Sequence, residues 1–302
     1  MAKPLVAVAG ATGQLGRLIA TNLRAHNVLV KALVRPGTTP SRTEDLRNAG
    51  VIVAETDLSD VPALTKEMEG VTCVVSSLNG LADTMLGTQK ALLDAAVAAK
   101  VPRFIPSDFS LDFTKTAPGS NRNLDLRREF HQRLDESGIQ WTSILNGGFM
   151  DLLAGQAPLI NHTLGRVLYW NSDEQRLDFT TVADTAAYTA AVAADVRPTP
   201  RFLRIAGDVF SAKDLAAIVS RVRGTPYSML WVGSAGFLEG SSNLMRRFSI
   251  GGGEQDVFPA WQGMQYMANM FSGAGKLDPL DNDRYPELKW TNAEEFLSQH
   301  SS

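Results

Sequence analysis

Over the first 145 residues, short continuous apolar runs alternate with segments whose apolar residues recur at three- and four-residue spacing. The runs LVAVAG (5–10), VLVKALV (28–34), VIVAE (51–55), TCVVSS (72–77), RFIPS (103–107) and TSILN (142–146) are short and rich in Val and Ile. Such runs read as strands buried on both faces of a parallel sheet. Between them lie QLGRLIATNLRAH, PSRTEDLRNAG, VPALTKEMEG, TQKALLDAAVAAK and NRNLDLRREFHQRLDESG, which read as helices, three of them closed by Gly50, Gly70 and Gly138. Strand alternating with helix predicts right-handed βαβ crossovers and an α/β fold with a doubly wound parallel sheet.

After Phe149 the rhythm breaks. RVLYW (166–170) is a short strand among turns, DFTTVADTAAYTAAVAAD (178–195) is a strand feeding an Ala-rich helix, and RFLRIAG (201–207) is a strand. SAKDLAAIVSRVRG is a helix capped by Ser211 and closed by Gly224. The expected organisation is a nucleotide-type domain over 1–155, rejoined by 178–207, and a smaller substrate-binding part formed by 156–177 and 208–302. A composition 44% hydrophobic and 20% charged suits globular folding, and a net charge of −3 without a basic run excludes a nucleic-acid field. No apolar run is long enough to span a membrane, and the N-terminus shows no signal-peptide pattern, so a cytoplasmic location is expected.

Candidate chemistry begins where the first strand ends. Gly10-Ala11-Thr12-Gly13-Gln14-Leu15-Gly16 joins it to the first helix, the context that gives a glycine motif its meaning. Gly10 permits a tight turn, Gly13 clears the path of a pyrophosphate, and Gly16 lets helix and sheet approach. The N–H groups of the helix start then face the phosphates, which makes this a Rossmann-type dinucleotide domain. The second strand selects the cofactor. It ends in Arg35-Pro36-Gly37-Thr38, with no acid before Glu44 to accept from a ribose 2′-hydroxyl. A guanidinium suits a 2′-phosphate instead, so NADP(H) is expected, with Lys31 and Arg42 as weaker helpers.

GATGQLG, the V-R-P at 34–36, TDLSD (56–60), VVSSLNG (74–80), VPRFIPSDFS (101–110) and SGIQWTSILNGGFMD (137–151) together resemble the NmrA-like and isoflavone-reductase-like branch of the atypical short-chain dehydrogenases. The resemblance implies that Asp57 and Leu58 lie against the adenine and that Ser76, Ser77 and Leu78 line the cofactor. It implies that Pro106, Ser107 and Phe109 flank the nicotinamide, and that Asn146, Gly147 and Phe149 form the wall between cofactor and substrate. Core packing is the alternative for Leu58 and Phe149. Reductases of this branch resemble each other in a lysine on the helix before the S-G-I segment. Here that place holds Arg127, whose guanidinium suits it to position the cofactor rather than to act as an acid. His131, one helical turn on, is the one histidine placed to be an acid if it faces the cleft; a surface histidine is the alternative. The Tyr285-to-Lys289 spacing mimics the short-chain Tyr-x-x-x-Lys pair but contains Pro286, and reads as coincidence.

Four scattered histidines and one cysteine offer no metal-ligand spacing, so no metal site is expected, and Cys73 reads as an inert buried residue. Met264, Met267 and Phe271 share a helical face, as core or as pocket wall, and Gly251-Gly252-Gly253 is a surface loop or a lid. Two functions remain: an NADPH-dependent oxidoreductase of a small apolar carbonyl, quinone or enone, or a non-catalytic NADP(H) sensor acting on a regulatory protein partner.

Overall fold

The computed structural model describes residues 3–155 and 158–300. The chain divides into two compact units, the first made of the residues up to Phe109, Leu126–Ile144 and Thr185–Leu203, the second of Ser110–Asp125, Leu145–Asp184 and the chain from Arg204 onward.

In the first unit, strands β1 (Leu5–Ala9), β2 (Leu29–Val34), β3 (Ile52–Glu55), β4 (Cys73–Ser76), β5 (Arg103–Ile105) and β6 (Gln140–Trp141) form one parallel sheet in the order β3-β2-β1-β4-β5-β6. This is the doubly wound Rossmann order, with its switch point between β1 and β4. The helices are α1 (Gln14–Ala25), α2 (Pro40–Asn48), α3 (Val61–Glu67), α4 (Gln89–Ala98) and α5 (Arg122–Ser137), which begins in the second unit. The continuous apolar strands are buried as the pattern requires, and Val74, Leu92, Phe104, Phe130 and Leu134 sit in one core cluster. Cys73 of β4 is fully buried, and burial pushes its thiol up to about 11, so it is inert.

The sixth sheet strand departs from expectation. Gln140–Trp141 pairs with Arg103–Phe104, whereas β7 (Ser143–Leu145) leaves the sheet to pair with β12 (Phe202–Arg204). Thr142 makes the break, its hydroxyl bonding the Thr199 hydroxyl at 2.7 Å and donating to the Pro200 carbonyl at 3.0 Å.

The second unit holds β8 (Gly148–Phe149), β9 (Ile160–Asn161), β10 (Arg166–Trp170), β11 (Leu177–Thr180), β13 (Asp208–Phe210) and β14 (Ser228–Gly233). They form two three-stranded sheets, β14-β10-β9 and β13-β11-β8. Helix α6 (Val182–Ala194) starts here and continues into the first unit; α7 (Ala212–Arg223), α8 (Ala235–Arg247), α9 (Ala260–Phe271) and α10 (Ala293–Gln299) complete the set. Ser211 and Asp214 form the capping box of α7, and Gly224 ends it in the left-handed region. Met267 and Phe271 are buried in this unit's core with Met264 packed against them, so that face of α9 is core.

Segments 110–125, 145–155 and 178–184, read from sequence as parts of the dinucleotide domain, belong to the second unit. The N–H groups of Asn146 and Gly147 both donate to the Ser110 carbonyl, and Phe179 of β11 stacks on Phe210 of β13 at 5.0 Å. Among the described residues, no helix is long and apolar enough to cross a membrane.

Candidate functional site

Strand register brings the predicted residues of the first unit to one edge. Ala9 pairs with Leu33 and with Ser76, Val34 with Glu55, and Val75 with Ile105. The glycine loop, Arg35, Asp57, Ser76–Leu78 and Pro106–Phe109 therefore all follow the carboxyl ends of neighbouring strands, the edge at which doubly wound sheets bind ligands.

The three glycines have different duties. Gly10 is held at φ +81°, and a Cβ there would lie 2.6 Å from the Ser77 carbonyl oxygen. A Cβ on Gly16 would lie 2.3 Å from the Gly10 carbonyl oxygen and 2.4 Å from Ser77 Oγ. Both glycines are needed to close α1 onto the sheet. Gly13, at φ −84°, is under no such strain, and its Cβ would meet only the Gly10 carbonyl oxygen at 3.3 Å. As the N-cap of α1 it offers no side-chain cap, and no acid occupies the first turn. The N–H groups that begin this helix lack intrahelical acceptors and face an anion's preferred position.

The serines tie the strand ends together. Ser77 donates from N and Oγ to the Ala9 carbonyl at 2.9 and 2.8 Å, and Ser107 Oγ donates to the Leu78 carbonyl at 2.6 Å. Ser107 N donates to Gln89 Oε1 at 2.9 Å. Ser76 Oγ, fully buried, has no protein partner. Arg35, Pro36, Gly37, Thr38, Thr39 and Arg42 line a recess of about 300 Å³, and the Arg35 guanidinium has no ion-pair partner among the described residues. Lys31 is no helper to it: its ammonium is 3.0 Å from the Glu67 carboxylate and donates to the Glu67 carbonyl at 2.7 Å. Asp57 accepts from Ser59 N and Oγ at 2.9 and 2.7 Å, which holds its carboxyl below the ordinary value. Leu58 is a member of the buried core.

The residues expected to do chemistry form a buried network that sequence reasoning missed. Asp108 is fully buried between Ser107 and Phe109. Its Oδ2 lies 2.7 Å from His131 Nε2 and accepts from Ser143 Oγ, while its Oδ1 has no protein partner. Arg127 Nε donates to the Asp108 backbone carbonyl at 2.6 Å. His131 is thus neither a surface residue nor an open acid. It is buried, with its ring 4.6 Å from Trp141 and 5.7 Å from Phe202. The signal that could have found Asp108 was an acid directly after the apolar end of β5, in PSDF.

In the second unit, Asn146 is fully buried with both side-chain amide atoms unpartnered, while its backbone carbonyl accepts from Thr180 Oγ1 at 2.8 Å. Gly147, at φ +69°, leaves no room for a side chain, since a Cβ would lie 2.3 Å from the Asp178 carbonyl oxygen. Phe149 is half-buried in β8. Tyr285 follows a short 3-10 turn and lies on no helix, unlike a short-chain catalytic tyrosine. The loop after α8 is clasped by Arg122, which donates to the carbonyls of Glu254, Asp256 and Val257 at 3.0, 2.9 and 2.9 Å and stacks on Trp261 at 4.6 Å.

Residues 2–297 match the NmrA-like family. The chain belongs to the NmrA-like family. Its curated relatives include the isoflavone reductase homolog IRL of Zea mays, 25% identical over 98% of each chain. They also include quinone oxidoreductase 2 of Escherichia coli (strain K12), 27% identical over 73% of this chain and 75% of the relative. Among solved structures, AtPrR2 with NADP+ and (+)pinoresinol superposes with a TM-score of 0.83 at 21% identity, over 99% of each chain. At that identity the likeness is one of fold. In this NmrA-like chain Arg127 of α5 is tied to the backbone carbonyl of Asp108.

Proposed function

We propose that this NmrA-like chain binds NADP(H) along the carboxyl ends of β1 to β5 and reduces a small apolar acceptor, a quinone, enone or carbonyl compound. The observation that carries the cofactor is the combination of an uncapped α1 N-terminus with an unpaired Arg35 over its recess, a donor set suited to a pyrophosphate and a 2′-phosphate. The fit is supported by the buried, unpartnered Ser76 Oγ and by Gly13, whose Cβ would meet its surroundings less closely than that of Gly10 or Gly16. Bound NADPH would supply the hydride. Arg127, anchored on Asp108, would hold the nicotinamide end as a hydrogen-bond donor. Its position favours acceptors that take hydride with little acid assistance, and the quinone oxidoreductase relative points the same way.

The test is NADPH and NADH titration followed by NADPH oxidation against a panel of quinones, enones and aldehydes. Quinones are expected to turn over best. Arg127→Ala is expected to weaken NADPH binding and Arg127→Lys to restore it. Equal affinity for both cofactors would refute the Arg35 assignment. Binding of NADPH without oxidation by any acceptor would favour the second reading, a cofactor sensor acting on a protein partner, which the arginine in the lysine place supports.

A further inference from the structure

Two Asn-Gly pairs stand in the sequence, Asn79-Gly80 and Asn146-Gly147, each preceded by leucine. A glycine after asparagine favours self-modification, because without a Cβ its backbone turns freely and its nitrogen can reach the preceding carboxamide. Local sequence makes the two pairs alike, and the fold makes them different.

Asn79 is exposed, in the loop that follows β4. Among the described residues, neither its side chain nor the Gly80 N–H has a hydrogen-bond partner. The carboxamide is free to turn, and the nitrogen beside it is not held. Nor can the fold easily exchange this glycine: a Cβ on Gly80 would lie 2.2 Å from Thr84 Oγ1 and 2.5 Å from Thr84 Cβ. Asn146 is the opposite case. It is fully buried, its backbone carbonyl accepts from Thr180 Oγ1 at 2.8 Å, and the Gly147 N–H donates to the Ser110 carbonyl at 3.1 Å. Both polar groups of that one peptide plane are bonded, so the plane cannot rotate toward the side chain without local opening.

We propose that Asn79 is a site of spontaneous conversion to isoaspartate and aspartate, and that the fold protects Asn146 from the same chemistry. The Gly80 nitrogen attacks Asn79 Cγ. A bond forms between them, the Cγ–Nδ2 bond breaks, and ammonia leaves with the proton that the Gly80 nitrogen gives up. Water then opens the five-membered imide. Cleavage at Cγ leaves an ordinary aspartyl residue, and cleavage at the main-chain carbonyl carbon routes the backbone through the side chain. No electrons are gained or lost. Either product places a carboxylate directly after Leu78, whose carbonyl accepts from Ser107 Oγ, and the isoaspartyl form also lengthens the chain there. The consequence for binding rests on the NADP(H) site proposed above: a new negative charge beside Ser76–Leu78 repels an anionic dinucleotide.

The test is ageing of the full chain at mildly alkaline pH, which speeds attack by the amide nitrogen, followed by peptide mapping of both pairs and NADPH titration. In the native chain Asn79 is expected to convert roughly tenfold faster than Asn146 or more, the difference being the local opening that Asn146 requires. In denaturant the two are expected to convert at similar rates. Asn79→Gln, whose longer side chain closes an imide far more slowly, is expected to keep its NADPH affinity on ageing, whereas Asn79→Asp is expected to bind NADPH several-fold more weakly from the start. Equal rates at the two asparagines of the native chain overturn the proposal, and so does an unchanged Asn79 under conditions in which the denatured chain converts. A converted chain that binds NADPH like the fresh one overturns the consequence for binding. A fresh chain that binds no NADPH counts against the cofactor site, and the peptide map still decides the chemistry at Asn79.

Discussion

Gly13→Val and Gly16→Ala should separate ligand binding from folding within one short loop. At Gly16 even the smallest side chain meets backbone: its Cβ would lie 2.3 Å from the Gly10 carbonyl oxygen and 2.4 Å from Ser77 Oγ. Ser77 cannot simply move aside, because its Oγ and N both donate to the Ala9 carbonyl. The start of α1 must therefore lift from the sheet. Overpacking of that kind costs about 1–3 kcal/mol, to be read as a drop of several degrees in Tm for Gly16→Ala without any ligand. Gly13 is the opposite case. Its φ of −84° suits any residue, and its Cβ would meet one atom, the Gly10 carbonyl oxygen at 3.3 Å, so the fold should accept valine at a smaller cost in Tm than Gly16→Ala. The valine methyls would instead project into the space over the helix N-terminus, where a pyrophosphate would sit. Isothermal titration with NADPH and a melt of each apo variant decide the matter. A folded Gly13→Val that binds NADPH at wild-type affinity removes the loop from the site. A Gly16→Ala variant that melts with the wild type shows that the close approach of α1 to β4 is not what that glycine serves.

Three further outcomes follow from named contacts. Charge-assisted hydrogen bonds contribute about 1.5–3 kcal/mol, so Arg35→Ala should weaken NADPH roughly tenfold to a hundredfold and leave NADH nearly unchanged in paired titrations. Arg122→Ala removes three donors to the carbonyls of Glu254, Asp256 and Val257, so limited proteolysis should nick 251–257 faster while α9 stays intact. Burial raises the Asp178 carboxyl above its ordinary value of 3.8, with the bonds from Lys276 and Leu277 N–H opposing it. A raised acid stabilises most below its unfolded value and loses that contribution as pH rises through the folded one. Asp178→Asn, which can still accept from Leu277 N–H, should therefore gain on the wild type in urea melts as pH is raised from about 4 to 7. A constant gap across that range would contradict the raised value.

What was legible in the sequence was what local rules control. Continuous Val- and Ile-rich runs announced strands buried on both faces. The loop glycines stood between β1 and α1, the context that gives their spacing its meaning, and Arg35 stood directly after β2. Lys31 shows where this reasoning stops. It is as basic as Arg35 and only four residues away, but its ammonium is held by Glu67, 36 residues further on, and no local pattern records that pairing. The sixth strand failed for a related reason. QW and SIL are both good strand sequences, and which of them joins the sheet depends on Thr199 and Pro200 engaging Thr142 between them.

The Asp108 network is the deepest case, because burial changed the meaning of residues already singled out. His131 at one helical turn from Arg127 suggested two groups facing one cleft. The turn is real, but what it delivers is a shared anchor: His131 meets the side chain of Asp108 and Arg127 meets its backbone carbonyl. A carboxylate with no exposure is costly unless its lone pairs are engaged. Here Ser143 and His131 engage one oxygen, and they come from β7 and α5, 35 and 23 residues away. Such a group holds a backbone segment in place. The segment it holds is 106–109, beside the ends of β4 and β5. What the geometry shows is a tie between α5, β7 and the loop after β5: His131 and Ser143 meet the Asp108 carboxyl, and Arg127 meets its backbone carbonyl.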